Sequence, residues 1–196
     1  LQVGIVAKLD EDPDGLARIK ITLPMVAGAE DDGIWARLAA PYAGSATGID
    51  FLPEIGDEVI VAFMGGDPSN PVILGSVHNP KAMGPVEATD ENNLKIIQTR
   101  SGIKLTFDDE KKAVTIDTPG GAQVTLDDDA NVVKLKDQNG NEAELGSAGI
   151  TLSSPKDITL DAKGNVVLKA AQDVTIDGLN VTAEAQVGAT VKGNAS

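Results

Sequence analysis

Short segments in which apolar and polar residues alternate fill positions 1–78 of this chain, which has 196 residues. A period of two predicts β-strands, because successive side chains of a strand point to opposite faces. No window shows the 3.6-residue apolar period of a helix together with capping residues. Five short strands within positions 1–78 favour a small closed barrel, for which the OB-fold is the commonest candidate. The predicted strands are Val3–Leu9, Leu16–Leu23, Trp35–Ala40, Glu58–Met64 and Pro71–Val77.

A different pattern occupies residues 93–196, where two apolar residues separated by one other residue recur along the chain. The interval between pairs is nine to eleven residues up to residue 143, and it is eight through residues 150, 158, 166 and 174. An eight-residue β repeat is typical of a solenoid. The pairs are Leu94/Ile96, Ile103/Leu105, Val114/Ile116, Val124/Leu126, Val133/Leu135, Ala143/Leu145, Ile150/Leu152, Ile158/Leu160, Val166/Leu168, Val174/Ile176, Val181/Ala183 and Val187/Ala189.

Each eight-residue repeat offers only two small inward side chains. One chain coiled alone would therefore enclose too thin a core to offset its backbone entropy. Three chains wound about a common axis would each supply one side of a shared triangular core, so we predict a homotrimer. With about 12 strands per face at a spacing of about 4.7 Å, the needle would be roughly 55 Å long. The predicted trimer core comprises Ile150, Leu152, Ile158, Leu160, Val166, Leu168, Val174 and Ile176.

The composition changes between these two regions. Eight of the ten prolines lie in residues 1–85, and four of the five aromatic residues precede residue 64. Residues 79–85 bear proline and glycine at positions that a regular strand does not tolerate. The predicted fold class is all-β. We expect an OB-fold domain at residues 1–78, a linker at 79–92, and an intertwined triple-stranded β-helix, the needle, at 93–196.

Charge and residue counts exclude several classes of function. The net charge of −14 repels phosphate and disfavours a nucleic-acid binder. The chain has no cysteine, which excludes disulfides and thiolate sites, and its single histidine excludes multi-histidine metal sites within one chain. No apolar run approaches the roughly 20 residues that span a bilayer, and no signal peptide is visible. No catalytic, cofactor or metal site is predicted.

Three polar features invite a chemical interpretation, and each has a simpler one. The acidic stretch Asp10–Gly15 matches the first half of a calcium loop, but the twelfth position, where the glutamate ligand belongs, is Ile21. We favour a hairpin turn there. The acidic runs Asp108–Glu110 and Asp127–Asp129 lie between strand pairs and are interpreted as solvated turns. His78 has no partner spacing for a nucleophile, and we expect a structural role.

Two stretches of the predicted barrel carry a family resemblance. Residues 51–59 (FLPEIGDEV) and 63–75 (FMGGDPSNPVILG) resemble the OB-fold of contractile-injection spike proteins. That family includes the VgrG proteins of type VI secretion, phage baseplate spikes and the spikes of extracellular injection particles. Residues 101–109 and the octads from Gly149 onward resemble the beginning and the shaft of the family's trimeric β-helix. The Gly-Asp-Pro-x-x-Pro stretch followed by the octads makes the resemblance specific.

The resemblance implies a structural spike that forms a membrane-puncturing needle. It implies assembly in the bacterial cytoplasm as part of a phage tail-like particle, with action outside the cell or in the target envelope. The implied partners are two further copies, hub or tube and baseplate proteins at the N-terminal end, and a PAAR-repeat tip protein with cargo at the C-terminal end, besides transient contact with the target membrane. Family members often carry a hub domain before the barrel, so we expect the hub to be a separate protein or part of a longer chain upstream of Leu1. The expected tip-docking residues are Val187, Gly188, Ala189 and Val191.

Two alternatives remain. A trimeric β-helical polysaccharide hydrolase or lyase of a phage tail would need aromatic platforms for sugars, and the needle offers only Phe107. A monomeric adhesin or calcium-stiffened stalk would lose its stability when a chelator removes the ion.

Overall fold

The first half of the chain forms a closed barrel of five strands in the computed structural model, which describes residues 1–25 and 32–193. Neighbours around the barrel run in the order β1-β2-β3-β7-β6, and every pair is antiparallel except β3 with β7. The predicted five-strand barrel is confirmed. A small hairpin, β4–β5, was not predicted. The bounds are β1 Gln2–Lys8, β2 Ile19–Thr22, β3 Ile34–Leu38, β4 Ala43–Gly44, β5 Thr47–Gly48, β6 Glu58–Phe63 and β7 Pro71–Ser76.

The barrel core is small and aliphatic. Alternate residues point inward, so Val59 and Val61 of β6 are fully buried whereas Ile60 between them is only partly buried. Burying one such side chain stabilises the fold by about 1.5–3 kcal/mol. The buried cluster consists of Val6, Ile19, Ile21, Leu23, Ala36, Val59, Val61 and Ile73.

The second strand begins later than predicted, at Ile19 instead of Leu16, because the chain first wraps around the Asp12 carboxylate. The Asp12 side chain accepts hydrogen bonds from the backbone N–H groups of Leu16 at 2.9 Å and Arg18 at 3.1 Å. It also accepts from the Arg18 guanidinium at 2.6 Å. Ala17 adopts a positive φ of 53° within this turn. These contacts replace the ladder hydrogen bonds that a longer strand would make.

The connection between β6 and β7 explains the Gly-Gly-Asp-Pro motif. Strand β6 ends at Phe63, and a short 3-10 turn over Met64–Gly66 follows, with φ values of 64° and 77° at the two glycines. Residues with a Cβ rarely adopt such angles. The Asp67 carboxylate then accepts hydrogen bonds from the backbone of Ser69 and the side chain of Asn70, both at 2.9 Å. Pro71 is buried and begins β7.

The second half of the chain begins with seven strands that form one antiparallel sheet, in which each strand pairs with the next along the chain. We call it the needle sheet. Its hairpins are evenly spaced. The first strands of successive hairpins begin at positions 94, 113 and 132, and the second strands begin at 104, 123 and 142. The bounds are β8 Leu94–Gln98, β9 Lys104–Asp108, β10 Ala113–Asp117, β11 Gln123–Asp127, β12 Val132–Lys136, β13 Glu142–Gly146 and β14 Gly149–Ser153.

The turns along one edge of the needle sheet stack on one another. A Cβ atom built on Gly102 would lie 3.3 Å from Pro119 of the next turn on that edge. One built on Gly140 would lie 3.6 Å from Pro155, which follows the last strand. The chain therefore leaves the sheet at this edge and begins its first bend on top of the stack.

Residues 154–193 belong to no strand or helix. Bends recur at 155–156, 163–164, 171–172, 178–179 and 186–187, so that their spacing is eight, eight, seven and eight residues. This is the period of the predicted octads. The intertwined β-helix itself stays a prediction, as does the division into barrel, linker and needle. The described residues include no helix long and apolar enough to cross a bilayer.

Candidate assembly surface

One face of the needle sheet is apolar from β9 to β14, and in β8 Ile97 is on this face together with Lys95. Residues directly opposite each other on antiparallel strands share a face, so the strand register defines which side chains lie together. Two rows cross the strands on this face. Row A is Ile97, Leu105, Ile116, Val124, Leu135, Ala143 and Leu152. Row B is Phe107, Val114, Leu126, Val133, Leu145 and Ile150.

This apolar face has no second layer among the described residues. Ile150 is 74% exposed, Leu152 60% and Leu135 50%. A contiguous apolar surface of this kind marks a protein interaction site, because water contact with it is unfavourable. The apolar face is therefore a candidate assembly surface that the described residues leave open.

The first predicted pair of the needle lies on the other side of the sheet. Ile96 is paired with Thr106, and both belong to the opposite, polar face. Lys95 is paired with Phe107, and Ile97 takes the first position of row A. Two adjacent isoleucines left the register of β8 undetermined by periodicity alone, which is why the prediction chose the wrong one.

The opposite face of the needle sheet is polar. Thr106, Thr115 and Thr125 are successive cross-strand partners at its centre. Lys134 follows them and forms ion pairs with Glu142 at 2.8 Å and Glu144 at 3.1 Å, which raise the pKa of the lysine. Lys134 thus lies half-buried on the polar face with two acidic partners from the neighbouring strand.

Most of the predicted trimer core lies beyond the sheet, in a segment without internal partners. Ile150 and Leu152 are on β14, and Ile158 lines a groove together with Leu152 and Ala143. The structure does not bring the remaining five together. Their exposed fractions are Leu160 70%, Val166 55%, Leu168 68%, Val174 55% and Ile176 69%.

The backbone of residues 157–193 is unpaired as well. Between described residues, no hydrogen bond or ion pair involves this segment. Ordering a backbone costs about 1–2 kcal/mol per residue, and apolar burial or hydrogen bonds must offset it. Within the described chain the segment obtains neither.

The predicted tip residues are fully accessible. Val187 is 103% exposed and Val191 98%, and Gly188 and Ala189 are also exposed. Docking of a partner at these positions stays a prediction.

The turn at Asp10–Gly15 has the hairpin geometry that was predicted. The Gly15 N–H donates to the Asp12 carbonyl oxygen at 3.0 Å. The guanidinium of Arg18 contacts both Asp12 and Asp14, at 2.6 and 2.5 Å, where a cation ligand set would have to form. These hydrogen bonds hold the pKa of the Asp12 carboxyl far below its usual range and keep it ionised.

The acidic turns of the needle sheet cap their own backbone. Asp108 accepts from the N–H groups of Glu110 and Lys111, and Asp127 accepts from that of Ala130. The equivalent Asp137 accepts from the backbone and the side-chain amide of Asn141, which lowers its pKa to about 2. Across the residues described, no group of three or more acidic, histidine or cysteine side chains is arranged to hold a metal ion.

His78 lies at a short bridge after the barrel. Its Nδ1 atom is 3.3 Å from the carbonyl oxygen of Ala82, and Asn79 and Ala82 are joined by two backbone hydrogen bonds. These contacts give His78 the structural surroundings that were predicted.

Comparison with known proteins identifies the barrel. Residues 2–78 match the family described as the type VI secretion system/phage-baseplate injector OB domain. The chain is 30% identical over 105 residues to the type VI secretion system spike protein VgrG3 of Vibrio cholerae, a match that covers 50% of this chain and 10% of that protein.

Two further relatives are similar over comparable stretches. The actin cross-linking toxin VgrG1 of Vibrio cholerae is 31% identical over 105 residues, which are 50% of this chain and 10% of the toxin. The spike protein VgrG1c of Pseudomonas aeruginosa is 39% identical over 75 residues, which are 38% of this chain and 10% of the relative. The matched stretch thus spans about a tenth of the length of these relatives. Residues 2–78 thus match the injector OB domain, and the chain is similar over about half of its length to VgrG spike proteins.

Proposed function

We propose that this chain is a structural part of the spike of a type VI or phage tail-like injection system. The observation that carries the proposal is the apolar face of the needle sheet, which directly follows an injector barrel and is left uncovered by the chain itself. A spike needs a stiff needle with a closed apolar interior. Both properties follow if that face is buried against the identical faces of other copies. No enzymatic activity is part of the proposal.

The proposed assembly is a homotrimer. Three needle sheets with their apolar faces inward form a triangular prism, and rows A and B of each copy fill its interior. Beyond Ser153, strands from residues 157–193 pair with those of the other two copies and continue the prism as an intertwined β-helix. An intertwined needle presents no free strand edge along its length, so that local opening must disturb neighbouring chains.

The two ends of the spike serve different partners. Barrels at the N-terminal end dock on hub, tube and baseplate proteins, and a PAAR-repeat tip protein binds the C-terminal end around Val187, Gly188, Ala189 and Val191. The particle assembles in the bacterial cytoplasm. On contraction, the needle is driven outside the cell and contacts the target membrane transiently.

The polysaccharide hydrolase or lyase alternative gains no support from the needle sheet. Phe107, its aromatic residue, belongs to row B on the apolar face. In a trimer this ring is enclosed and cannot serve as a platform for a sugar.

Light scattering coupled to size-exclusion chromatography tests the assembly. We expect a molar mass three times the 20.2 kDa of one chain, with the early elution of an elongated particle. Replacing four predicted core residues, Val166, Leu168, Val174 and Ile176, by lysine should abolish the trimer. The matched control replaces the alternate residues Val167 and Thr175 by lysine and should leave the trimer intact.

A soluble full-length trimer after the four core substitutions would contradict the proposal.

For the tip, a purified PAAR-repeat protein should bind the trimer and should lose at least tenfold in affinity with Val187→Glu and Val191→Glu. Unchanged binding would place the docking surface elsewhere.

A further inference from the structure

Three turns on one edge of the needle sheet share the same hydrogen-bonding pattern. Each ends in a glycine with a positive φ, and the N–H of that glycine donates to the carbonyl oxygen three residues earlier. The residue before the glycine differs, and only the third turn carries a side-chain amide there. The turns are Thr99–Gly102, Thr118–Gly121 and Asp137–Gly140, and the residues before the glycines are Ser101, Gly120 and Asn139.

An asparagine followed by a glycine is chemically reactive. The backbone nitrogen of Gly140 attacks the side-chain carbonyl carbon of Asn139, a C–N bond forms, and the bond from that carbon to Nδ2 breaks. The proton of the glycine N–H leaves with Nδ2 as ammonia, and water then opens the cyclic imide to aspartate or isoaspartate. Glycine favours the attack because it has no Cβ beside the nitrogen. Residues 139–140 are the one Asn-Gly pair of the sequence.

The attacking nitrogen is the least tightly held of the three glycine nitrogens. The Gly140 nitrogen lies 3.3 Å from its acceptor oxygen, whereas the corresponding distance is 2.9 Å for Gly102 and for Gly121. A distance of 3.3 Å is beyond the usual range for such a hydrogen bond. Asn139 and Gly140 are both exposed, so water reaches the imide. The local geometry therefore leaves this pair open to reaction.

The Asp137 carboxylate opposes the reaction. It accepts hydrogen bonds from the backbone N–H of Asn139 at 2.8 Å and from Asn139 Nδ2 at 3.1 Å. The second bond must break before Nδ2 leaves as ammonia. The negative charge also disfavours loss of the Gly140 amide proton, because a second anion would form next to the first.

The third turn thus combines a reactive pair with a restraint. We propose that Asn139 is a site of spontaneous deamidation and that the Asp137 carboxylate limits its rate. Deamidation removes the Nδ2 donor and places a second negative charge beside Asp137. Isoaspartate also adds one methylene to the backbone of the turn between β12 and β13. This inference does not depend on the proposed function.

Peptide mapping by mass spectrometry, on the full chain incubated at neutral pH, locates the modification. The matched internal control is Asn141, whose side-chain amide also donates to Asp137, at 2.7 Å, but whose next residue is Glu142. We expect Asn139 to deamidate at least tenfold faster than Asn141. Equal rates at the two positions would overturn the inference.

Asp137→Thr tests the restraint. Thr99 and Thr118 occupy the equivalent position in the other two turns, and each hydroxyl accepts from the backbone N–H four residues later at 3.1 Å. The variant is therefore expected to form the turn. Deamidation of Asn139 should be at least threefold faster than in the parent, whereas the control Asp127→Thr, in a turn on the opposite edge, should leave the rate unchanged. An unchanged or slower rate in Asp137→Thr, or the same acceleration in the control, would overturn the role of Asp137.

The parent chain in urea provides a test that does not depend on the folding of a variant. Unfolding separates Asp137 from Asn139, so deamidation of Asn139 should be at least threefold faster in urea than in native buffer. A rate in native buffer that equals or exceeds the rate in urea would show that the folded turn does not restrain the reaction.

Discussion

Asp12 shapes the β1–β2 turn through one nearly buried side chain, which is 5% exposed. Because its folded pKa is held well below the unfolded value of about 3.9, its ionised form stabilises the fold above that pH. The contribution is lost as the pH falls below about 4 toward the folded pKa. Asp12→Asn should therefore lower the unfolding temperature at pH 7 by several degrees, and the difference from the parent should shrink in acid.

Thermal unfolding followed by circular dichroism from pH 7 to pH 2 checks this. Asp10→Asn, in the same turn but at an exposed position, is the control and should behave as the parent does. A difference that stays constant down to pH 2 would contradict the argument. So would a calcium-dependent rise in the unfolding temperature.

Gly121 is a second position at which one residue decides a local conformation. Its φ of 92° is unfavourable for any residue with a Cβ, whereas the neighbouring Gly120 does not need a positive φ. A Cβ on Gly120 would meet only the movable end of the Gln138 side chain. We expect Gly121→Ala to destabilise the protein by about 1 kcal/mol or more and Gly120→Ala by less.

Urea unfolding at one fixed protein concentration measures both variants, since an oligomer's stability depends on concentration. Equal effects of the two substitutions would show that the turn tolerates a side chain in the left-handed region.

At these positions the sequence predicts that a turn exists, but it does not predict which hydrogen bonds the side chains of the turn make. Acidic and glycine residues between apolar pairs indicate turns at Asp10–Gly15 and at residues 118–121. The contact between Asp12 and Arg18 depends on how the chain folds back on itself between them, which no local pattern specifies. The barrel core was predictable because alternate apolar residues must share one face.

At the scale of the strand, β10 offers a comparison of the two faces of the needle sheet. Ile116 is in row A, and its neighbour Thr115 lies at the centre of the polar face between Thr106 and Thr125. Ile116→Lys places a charge in the proposed trimer interior, where desolvation is costly. Thr115→Lys places the same charge on the polar face, outside the proposed interior.

We expect Ile116→Lys to dissociate the trimer and Thr115→Lys to leave the molar mass unchanged. Light scattering measures the molar mass of both variants. If both variants remain trimeric, the apolar face is not the assembly surface.

Most strands of the needle sheet were predictable, but the register was not predictable in every strand. From Val114 onward each predicted apolar pair within the sheet is found on the apolar face, including Val133/Leu135, which follows another valine, Val132. In β8 the consecutive Ile96 and Ile97 permit two registers, and only pairing with β9 distinguishes them. The octads after Ser153 are predictable as a period, whereas their pairing in the proposed trimer would involve other chains and cannot be read from the contacts of one chain.

At the scale of the whole molecule, the unpaired segment 157–193 should report assembly directly. In the trimer its amides are expected to exchange slowly with deuterium, because neighbouring copies supply their hydrogen-bond partners. In the monomeric Ile116→Lys variant the same amides should exchange at least a hundredfold faster.

Strand Glu58–Phe63 of the barrel is the internal control, since its ladder and its buried valines belong to one chain. It should be protected in both samples. Fast exchange of residues 157–193 in a particle with the mass of three chains would mean that the trimer does not include the octads.

Because the hairpins are evenly spaced, the number of hairpins determines the length of the needle sheet. Removing residues 113–131 joins Lys112 to Val132 and deletes one whole hairpin unit with both of its turns. Because the period of side-chain direction is two and each unit contributes two strands, rows A and B would remain continuous. The needle would shorten by about 10 Å, two strand spacings, with its cross-section unchanged. Cryo-electron microscopy of the deletion variant would show that step, so the number of hairpins would set the length of the proposed needle.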